Sequence, residues 1–519
     1  MRDVEVLVVG GGPAGLAAAA AARRAGVRVV LVEGGDDVGG QYWRHLPAER
    51  PAAAEERLHH GWSTFTRLRR TLADDPGCEV LTGASVWAVE PGAGAVVVRV
   101  LVTPSGQADA PARRHLALRP AALVVATGAH DLTLPFPGWD LPGVVTGGAA
   151  QAFAKSERLA VGERVVVAGA GPFLLPVASS LLATGARVLE VAEAAGPAQL
   201  TRGWGPLLTG GGAGVFAAGL SGVGVLAGKT RELAAYVAAL AAARVPYRTA
   251  TGVVAARGDG RVEEVVLARL DATWAPVPGT ERVVAADALA VSHGFTPRLE
   301  VALAAGAAVA GSGAGAGFVA VDDRGATSAP GVWAAGEVTG IGGADAALVE
   351  GALAGLAAAE ALGHPAGPEV DGLLRRRRVL RAFADRLAAA HAPRLGWLAQ
   401  VTDDTVVCRC EEVTAGRLRS VAQATASAAD APAGSRSLRL TTRAGLGPCQ
   451  GRVCGHAVDA VLGCGLAAST GSTGTTRPPV SHQRRPLAVP VRLGELAELP
   501  PATTPTSPAT SQPTSEETP

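Results

Sequence analysis

The sequence predicts an α/β architecture of two Rossmann-like dinucleotide-binding domains, the first discontinuous in sequence, followed by a small C-terminal cysteine domain. Three observations carry this. An apolar run at residues 4–9 enters Gly10-Gly11-Gly12-Pro13-Ala14-Gly15 and then a helix-forming stretch. A second apolar run at residues 165–168 enters Gly169-Ala170-Gly171-Pro172-Phe173-Leu174 and another such stretch. Downstream, four of the six cysteines fall at 408, 410, 449 and 454. At about 100 to 200 residues per domain, 519 residues leave room for roughly three cores.

Taken in order, residues 4–9, 16–25 and 27–32 form a strand, a helix and a strand, which is a βαβ unit. Residues 79–127 alternate Val-rich runs with Pro/Gly turns, the pattern of a small antiparallel insertion before a strand at 123–126. The second βαβ unit takes residues 165–168, 174–183 and 187–191. Strands at 287–291 and 332–335 are expected to rejoin the first sheet, with a helix starting near Ala344. The Leu- and Arg-rich residues 371–399 have helical spacing and read as a connecting helix, with Arg375 to Arg378 on its solvated face. The expected domains are 1–150 with 285–370, then 151–284, the connector 371–399, the cysteine domain 400–465 and an extension 466–519. The Ser/Thr/Pro/Gly tracts 469–476 and 500–519 are too poor in apolar residues to offset ordering entropy, so the last 20 residues are expected to be disordered.

Lys+Arg 47 against Asp+Glu 46 leaves a net charge of +1, which excludes a protein built to track a phosphate backbone. Only Lys155 and Lys229 are lysines, a skew toward arginine that matches a GC-rich coding bias. Residues 301–321 reach membrane-spanning length but contain five glycines and Ser312, so they read as loop and strand. No export signal is legible, and the expected compartment is the cytoplasm, with any membrane contact made through partners.

In the first fingerprint Gly10 permits the tight turn, Gly12 lets backbone approach a pyrophosphate, and Gly15 lets the helix pack on the strand. Pro13 and Ala14 open the helix, and Glu33, 18 residues after Gly15, is placed to accept hydrogen bonds from an adenosine ribose. In the second fingerprint Leu174 replaces the third glycine. Gly169, Gly171 and Glu193, 22 residues after Gly171, mark a second nucleotide site. With no arginine in the eight residues after Glu193, that site favours NAD over NADP, and it equally fits another nucleotide or none.

The pattern Cys408-Arg409-Cys410 with Cys449-Gln450-Gly451-Arg452-Val453-Cys454 supplies four thiolates, able to hold either a tetrahedral zinc or a [2Fe-2S] cluster. Glycines 445, 447, 451 and 455 would let backbone amides approach cluster sulfides. Cys464 reads as a core residue and Cys78 is solitary. No CxxC or CxxxxC lies near the first fingerprint, which disfavours disulfide reduction. His130 and His293 fall near strand ends and read as structural or solvent-facing rather than as bases.

Further segments carry a resemblance. Gly39-Gly40-Gln41, Ala126-Thr127-Gly128 and Ala335-Gly336-Glu337 resemble the cofactor loops of the two-dinucleotide-domain flavoprotein disulfide reductase superfamily. That resemblance implies FAD in the first domain, with Gly40, Gln41, Thr127, Gly128, Gly336 and Glu337 among its contacts. Glu337 stands where the superfamily has an Asp. The cysteine segment with Thr442-Arg443-Ala444-Gly445 resembles the bacterioferritin-associated-ferredoxin-like [2Fe-2S] domain. The whole order, including Arg477-Pro478-Pro479, resembles the FAD/[2Fe-2S] subunit of bacterial heteromeric amino-acid dehydrogenases, of the opine oxidase, hydrogen cyanide synthase and dye-linked proline dehydrogenase type. The resemblance implies an electron-transfer subunit serving a D-amino-acid-oxidase-like flavoprotein partner, and in some complexes a small ferredoxin-like subunit. Two other readings remain open: a self-sufficient NAD(P)H-dependent reductase, and a non-enzymatic iron-sulfur binding or assembly protein.

Overall fold

A computed structural model describes residues 1–47, 49–50, 52, 55–91, 96–103, 113–208, 219–310, 317–365, 367–428, 435–463 and 487–497. The tracts 469–476 and 500–519, with Ser312, Cys464 and residues 477–479, lie outside these.

The chain opens with β1 (Arg2–Val9), β2 (Val29–Val32), β3 (Cys78–Leu81), β4 (Ala84–Pro91), β5 (Val96–Val102) and β6 (Arg114–Val125). They form one sheet in the order β3-β2-β1-β6-β5-β4. The part β3-β2-β1-β6 is parallel, and β19 (Val332–Ala334) joins β6 in parallel. Val29 to Val32 are all buried, as a parallel strand covered on both faces requires. The helix Pro13–Arg24 lies on one face; its alanines let it sit close to the helix Gly343–Ala361.

The antiparallel insertion is smaller than the sequence predicts. Cys78–Leu81 is a parallel strand of the main sheet. β6 is a single 12-residue strand whose first half pairs with β5 antiparallel and whose second half pairs with β1 and β19. Composition signals the strand but not its change of partner.

The second sheet, β11 (Tyr247–Arg248), β10 (Arg187–Glu193), β9 (Arg164–Gly169), β15 (Ala288–Ser292) and β8 (Val144–Thr146), is parallel throughout. This corrects the expectation for residues 287–291. β15 lies between β9 and β8 and does not rejoin the first sheet; β19 does. The structural borders of the second unit therefore move outward from 151 and 284 to take in β8 and β15. The apolar run marks a buried strand, while its sheet is chosen by pairing across more than a hundred residues, which no local pattern encodes. A three-stranded antiparallel sheet, β12 (Thr251–Arg257), β13 (Glu264–Arg269) and β14 (Arg282–Ala285), is inserted before β15. β7 (Ala129–Asp131) pairs with β16 (Phe295–Pro297), tying the segments that cross between the two units. Residues 301–321 contain the end of the helix Glu300–Ala304 and the short pair β17 (Val309–Ala310) and β18 (Phe318–Val319). No helix among the described residues is long and apolar enough to cross a membrane.

The connector forms the helix Val370–His391. Arg375, Arg376 and Arg378 lie outward as expected, but Arg377 turns inward to Asp323 at 2.6 Å and to Glu350 at 3.4 Å. A buried carboxylate on the neighbouring helix draws it off the solvated face. The cysteine segment contains β20 (Val406–Cys408) and β21 (Val413–Thr414) with three short helices. Its core is shared: Val407, Cys408 and Cys454 pack in one cluster with Ala170, Ala194, Trp274 and Trp397. Part of the C-terminal extension is structured. Residues 487–491 pack on Trp87 and Leu101 of the first sheet, and Ala488 N–H donates to the Trp87 carbonyl at 2.7 Å.

Candidate functional site

At the end of β1 the chain turns through Gly10, whose φ of +108° is open to glycine and whose added Cβ would meet the Ala126 carbonyl oxygen at 2.3 Å. A Cβ on Gly15 would fall 1.7 Å from the Gly10 carbonyl oxygen, so the helix can begin this close to the strand only with glycine there. Gly12 caps that helix in extended conformation, Pro13 occupies its first turn, and Ala14 follows, buried. Glu33 accepts from Gly11 N–H at 2.6 Å and from Gly35 N–H at 2.8 Å. Each carboxylate oxygen keeps a second lone pair for a ribose hydroxyl.

The Gly39–Gly40 loop closes over this turn. Gly39 N–H donates to the Gly11 carbonyl at 2.8 Å, and a Cβ on Gly40 would approach Gly12 Cα to 2.8 Å. The adjacent Gln41 is exposed, its side-chain oxygen accepting from Arg44 at 2.7 Å. Thr127 Oγ1 donates to the Arg298 carbonyl at 2.7 Å, and Gly128 turns at φ +71°. Gly336 faces the fingerprint, since its added Cβ would lie 2.7 Å from Ala14 Cβ. Glu337 accepts from Gly343 N–H at 3.0 Å, and burial pushes its carboxyl above the usual range. The fingerprint, the Gly39–Gly40 loop and Gly336 thus converge on one cradle, with glycine wherever a side chain would fill it, while the Gln41 side chain turns away to Arg44.

Sequence reasoning misses several residues that frame this cradle. Gly351 and Gly355 lie against the carbonyls of Ala14 and Ala18, where added Cβ atoms would come within 2.0 and 2.2 Å. Their four-residue spacing in an alanine-rich helix is the available signal. Glu350, 5% exposed, accepts from Gly336 N–H at 3.2 Å and from Arg381 Nη2 at 2.6 Å. An acid amid small apolar residues is the clue to it.

The second fingerprint is built differently. Gly169 needs its φ of +137°, and a Cβ there would strike the Ser292 carbonyl oxygen at 1.7 Å. Leu174 is fully buried at the start of the helix Leu174–Ala183. Glu193 occupies the ribose-acid position but has no exposed surface. Its Oε2 accepts from Gly171 N–H at 3.0 Å and Tyr247 O–H at 3.2 Å, its Oε1 accepts from Ala195 N–H at 2.9 Å, and His391 Nδ1 lies 3.5 Å away. The end of the helix Val370–His391 covers this loop; a Cβ on Gly171 would lie 3.9 Å from His391 Cβ. The structure therefore leaves Glu193 no face for an incoming ribose, against its expected role.

The four cysteine thiols are electrostatically coupled in the order Cys408, Cys454, Cys449, Cys410. Cys408 and Cys454 are buried, Cys449 is half-buried and Cys410 is exposed. Gly445 N–H points at Cys408 Sγ at 3.4 Å. Accepting from Cys454, with help from the Gly445 amide, pulls the Cys408 thiol down to about 6. The Cys454 neighbour also pulls Cys449 down to about 4, while the two flanking sulfurs and burial push Cys454 up. Three non-glycine residues with positive φ, Glu412, Arg443 and Gln450, lie in these loops, a concentration of strain characteristic of working sites. Among the described residues no three His, Cys, Asp or Glu side chains surround a single point as ligands of one ion would.

A hydrogen bond joins the end of the cradle to the cysteine loops. His130, two residues past Gly128, donates from Nε2 to the Arg452 carbonyl at 3.0 Å. Burial lowers its pKa, which keeps the ring neutral. Arg452 pairs with Glu300 and donates to the Ala488 carbonyl. His293 lies beside Trp274, and burial pushes it down to about 4; both histidines are half-buried.

This arrangement defines an oxidoreductase of two dinucleotide-type domains with a glycine-lined cofactor cradle. The chain belongs to the pyridine nucleotide-disulphide oxidoreductase family, whose model matches residues 4–359; it is a flavin-dependent oxidoreductase that binds FAD. It is similar to an opine oxidase subunit of Rhizobium meliloti, 31% identical over 509 residues, covering 96% of this chain and 88% of that one. It is likewise similar to hydrogen cyanide synthase subunit HcnB of Pseudomonas aeruginosa, 32% identical over 466 residues, 86% and 90% of the two chains. The structure of L-proline dehydrogenase from P. horikoshii matches in fold with a TM-score of 0.62 and 18% identity, over 95% of this chain and 79% of that one. The opine oxidase and cyanide synthase relatives are each one subunit of a larger enzyme, in keeping with the resemblance read from the motifs.

Proposed function

We propose that the chain is the FAD- and [2Fe-2S]-carrying electron-transfer subunit of a complex that oxidises an amino acid or related amine. The C–N bond would be oxidised on a partner flavoprotein subunit of D-amino-acid-oxidase type. The observation that carries the reading is the junction of the two centres: the strand leaving Gly128 is hydrogen-bonded through His130 to the loop between Cys449 and Cys454.

The residues present fit both groups. Gly12, Gly40 and Gly336 line a cradle that a Cβ would fill, and Glu33 keeps lone pairs for a ribose. Cys408, Cys410, Cys449 and Cys454 are a soft donor set with two thiols pulled toward the thiolate form, and the Gly445 amide aimed at Cys408 Sγ is the kind of contact that sulfur ligands of a cluster take. When bound, a flavin takes electrons in pairs and a cluster passes them singly. This chain's own residues position the groups: Glu33 and the fingerprint amides orient the dinucleotide, the Gly445 amide lowers the charge cost at Cys408, and His130 holds the two loops in register. Glu193, closed under His391, supports the relay over a self-sufficient NADH reductase.

Anaerobic purification with iron and sulfide, followed by assay of flavin, iron and acid-labile sulfide, tests the reading. It expects flavin together with equal iron and sulfide, the iron lost in Cys408→Ser or Cys454→Ser, and a flavin colour that NADH does not bleach. Flavin without iron, or rapid bleaching by NADH, would refute it.

A further inference from the structure

The chain holds 47 basic residues of which two are lysines, and Tyr42 relates them, its carbonyl accepting from Lys155 and its hydroxyl feeling Glu232 and Asp345, which hold Lys229. Lys229 is compensated: its Nζ lies 2.8 Å from Asp345, in the first turn of the helix Gly343–Ala361, and 3.2 Å from Glu232. Lys155 is not. It is 5% exposed, in the π-helical turn Phe153–Glu157, a geometry often found at functional sites. Its Nζ donates to the Tyr42 carbonyl at 3.2 Å and lies 5.5 Å from that ring's centre. No carboxylate among the described residues pairs with it. One carbonyl satisfies one of three N–H bonds, and an ammonium buried in this way calls for an anion.

The position says where the anion comes from. Tyr42 follows the Gly39–Gln41 segment that closes on Gly12, and the charges of Glu232 and Asp345 reach its buried hydroxyl, so this is where the closing loop meets the start of the helix Gly343–Ala361. The pyrophosphate is served by the fingerprint amides. We propose that Lys155 is the charge partner of reduced FAD, a positioning residue that favours the reduced over the oxidised ring. The assignment rests on the FAD reading above. Two electrons and one proton convert the neutral oxidised ring into a reduced ring with one negative charge, which on this proposal the ammonium balances. The electrons come from the amine donor of the complex, or from dithionite in the test.

Burial pushes the Lys155 ammonium down to about 8, so its charge is present at neutral pH and lost above that value. The titratable and charged groups facing this place are His59, Glu55 and Arg158 on one side, and Tyr42, Tyr236, Glu232, Lys229 and Asp345 on the other. Titration of any of these is common to wild type and variant, so the difference between the two isolates Lys155.

The test is potentiometric titration of the FAD-loaded protein with dithionite and a reference dye, for wild type, Lys155→Met and Lys155→Arg. Methionine keeps the length and removes a buried charge, so folding is not burdened; a melting curve checks this. The expected result is a tenfold or larger fall in the equilibrium for reduction in Lys155→Met, about 30 mV for a two-electron couple. Lys155→Arg should retain most of the wild-type value, and the gap between wild type and Lys155→Met should close between pH 7 and pH 10. A flavin-replete Lys155→Met with unchanged potential overturns the assignment. So does weaker binding of oxidised FAD with unchanged potential, which would make Lys155 a pyrophosphate ligand. A wild-type protein that takes up no FAD sinks the underlying reading as well.

Discussion

His130 shows how one side chain can serve two centres. Its Nε2 must be the protonated nitrogen, because the partner is the Arg452 carbonyl, which only accepts. Replacing it with leucine removes a hydrogen bond worth about 1 kcal/mol, a loss the fold should tolerate. The expected outcome for His130→Leu is normal flavin and iron content with slower reduction of the cluster after rapid mixing with reductant. His130→Gln, which keeps a donor, should recover most of the rate. Equal rates in all three proteins would mean that electrons cross elsewhere. The fingerprint residues and the cysteines are legible in sequence because each motif is local and its spacing is fixed by chemistry. His130 is not, since its partner lies 322 positions away and nothing around it distinguishes a bridging histidine from a buried one. Glu193 is found in the right place and given the wrong task, because spacing locates a carboxylate without saying what covers it.

Among elements, the pair of helices Pro13–Arg24 and Gly343–Ala361 carries the most weight for the site. Gly351 and Gly355 let the backbone of one rest on the carbonyls of the other, so the far helix fixes the height of the fingerprint turn. Gly351→Val would drive side-chain atoms into the Ala14 carbonyl. Overpacking of this kind costs about 1–3 kcal/mol or more. The prediction is a lower melting temperature and flavin that washes out on gel filtration, whereas Gly372→Ala in the helix Val370–His391, whose Cβ would meet only the tip of Arg375 at 4.0 Å, should retain flavin. Apolar periodicity identifies the helices and strands of this region correctly. It identifies their partners less well: it sends β15 to the wrong sheet and reveals only the second half of β6. Periodicity reports that a face is buried, and pairing decides against what.

At the scale of the molecule, the C-terminal stretch 487–497 straps the first sheet to the cysteine loops. Glu495 is held by Arg113 at 2.5 Å, which pulls its carboxyl down to about 2. A depressed carboxylate stabilises above its ordinary range and loses that contribution as the pH falls toward the lowered value. The strap should therefore loosen between about pH 4.5 and about pH 2, uncovering Trp87 and shifting its emission to the red. Glu495→Gln should lack that transition, and an identical acid titration would argue against the ion pair. Sequence reading leaves this stretch in a tail without assigned structure, because short apolar stretches among Pro and Ser give no period to read. Arg452 touches the strap at Ala488, the helix Glu300–Ala304 at Glu300, and its own loop at the Cys449 carbonyl, 3.3 Å away. A single guanidinium thus laces together segments that lie far apart along the gene. Swapping the cysteine segment into another scaffold would leave that lacing behind, so a working transplant has to carry the 487–497 tail and an equivalent of Glu300 along with the cysteines.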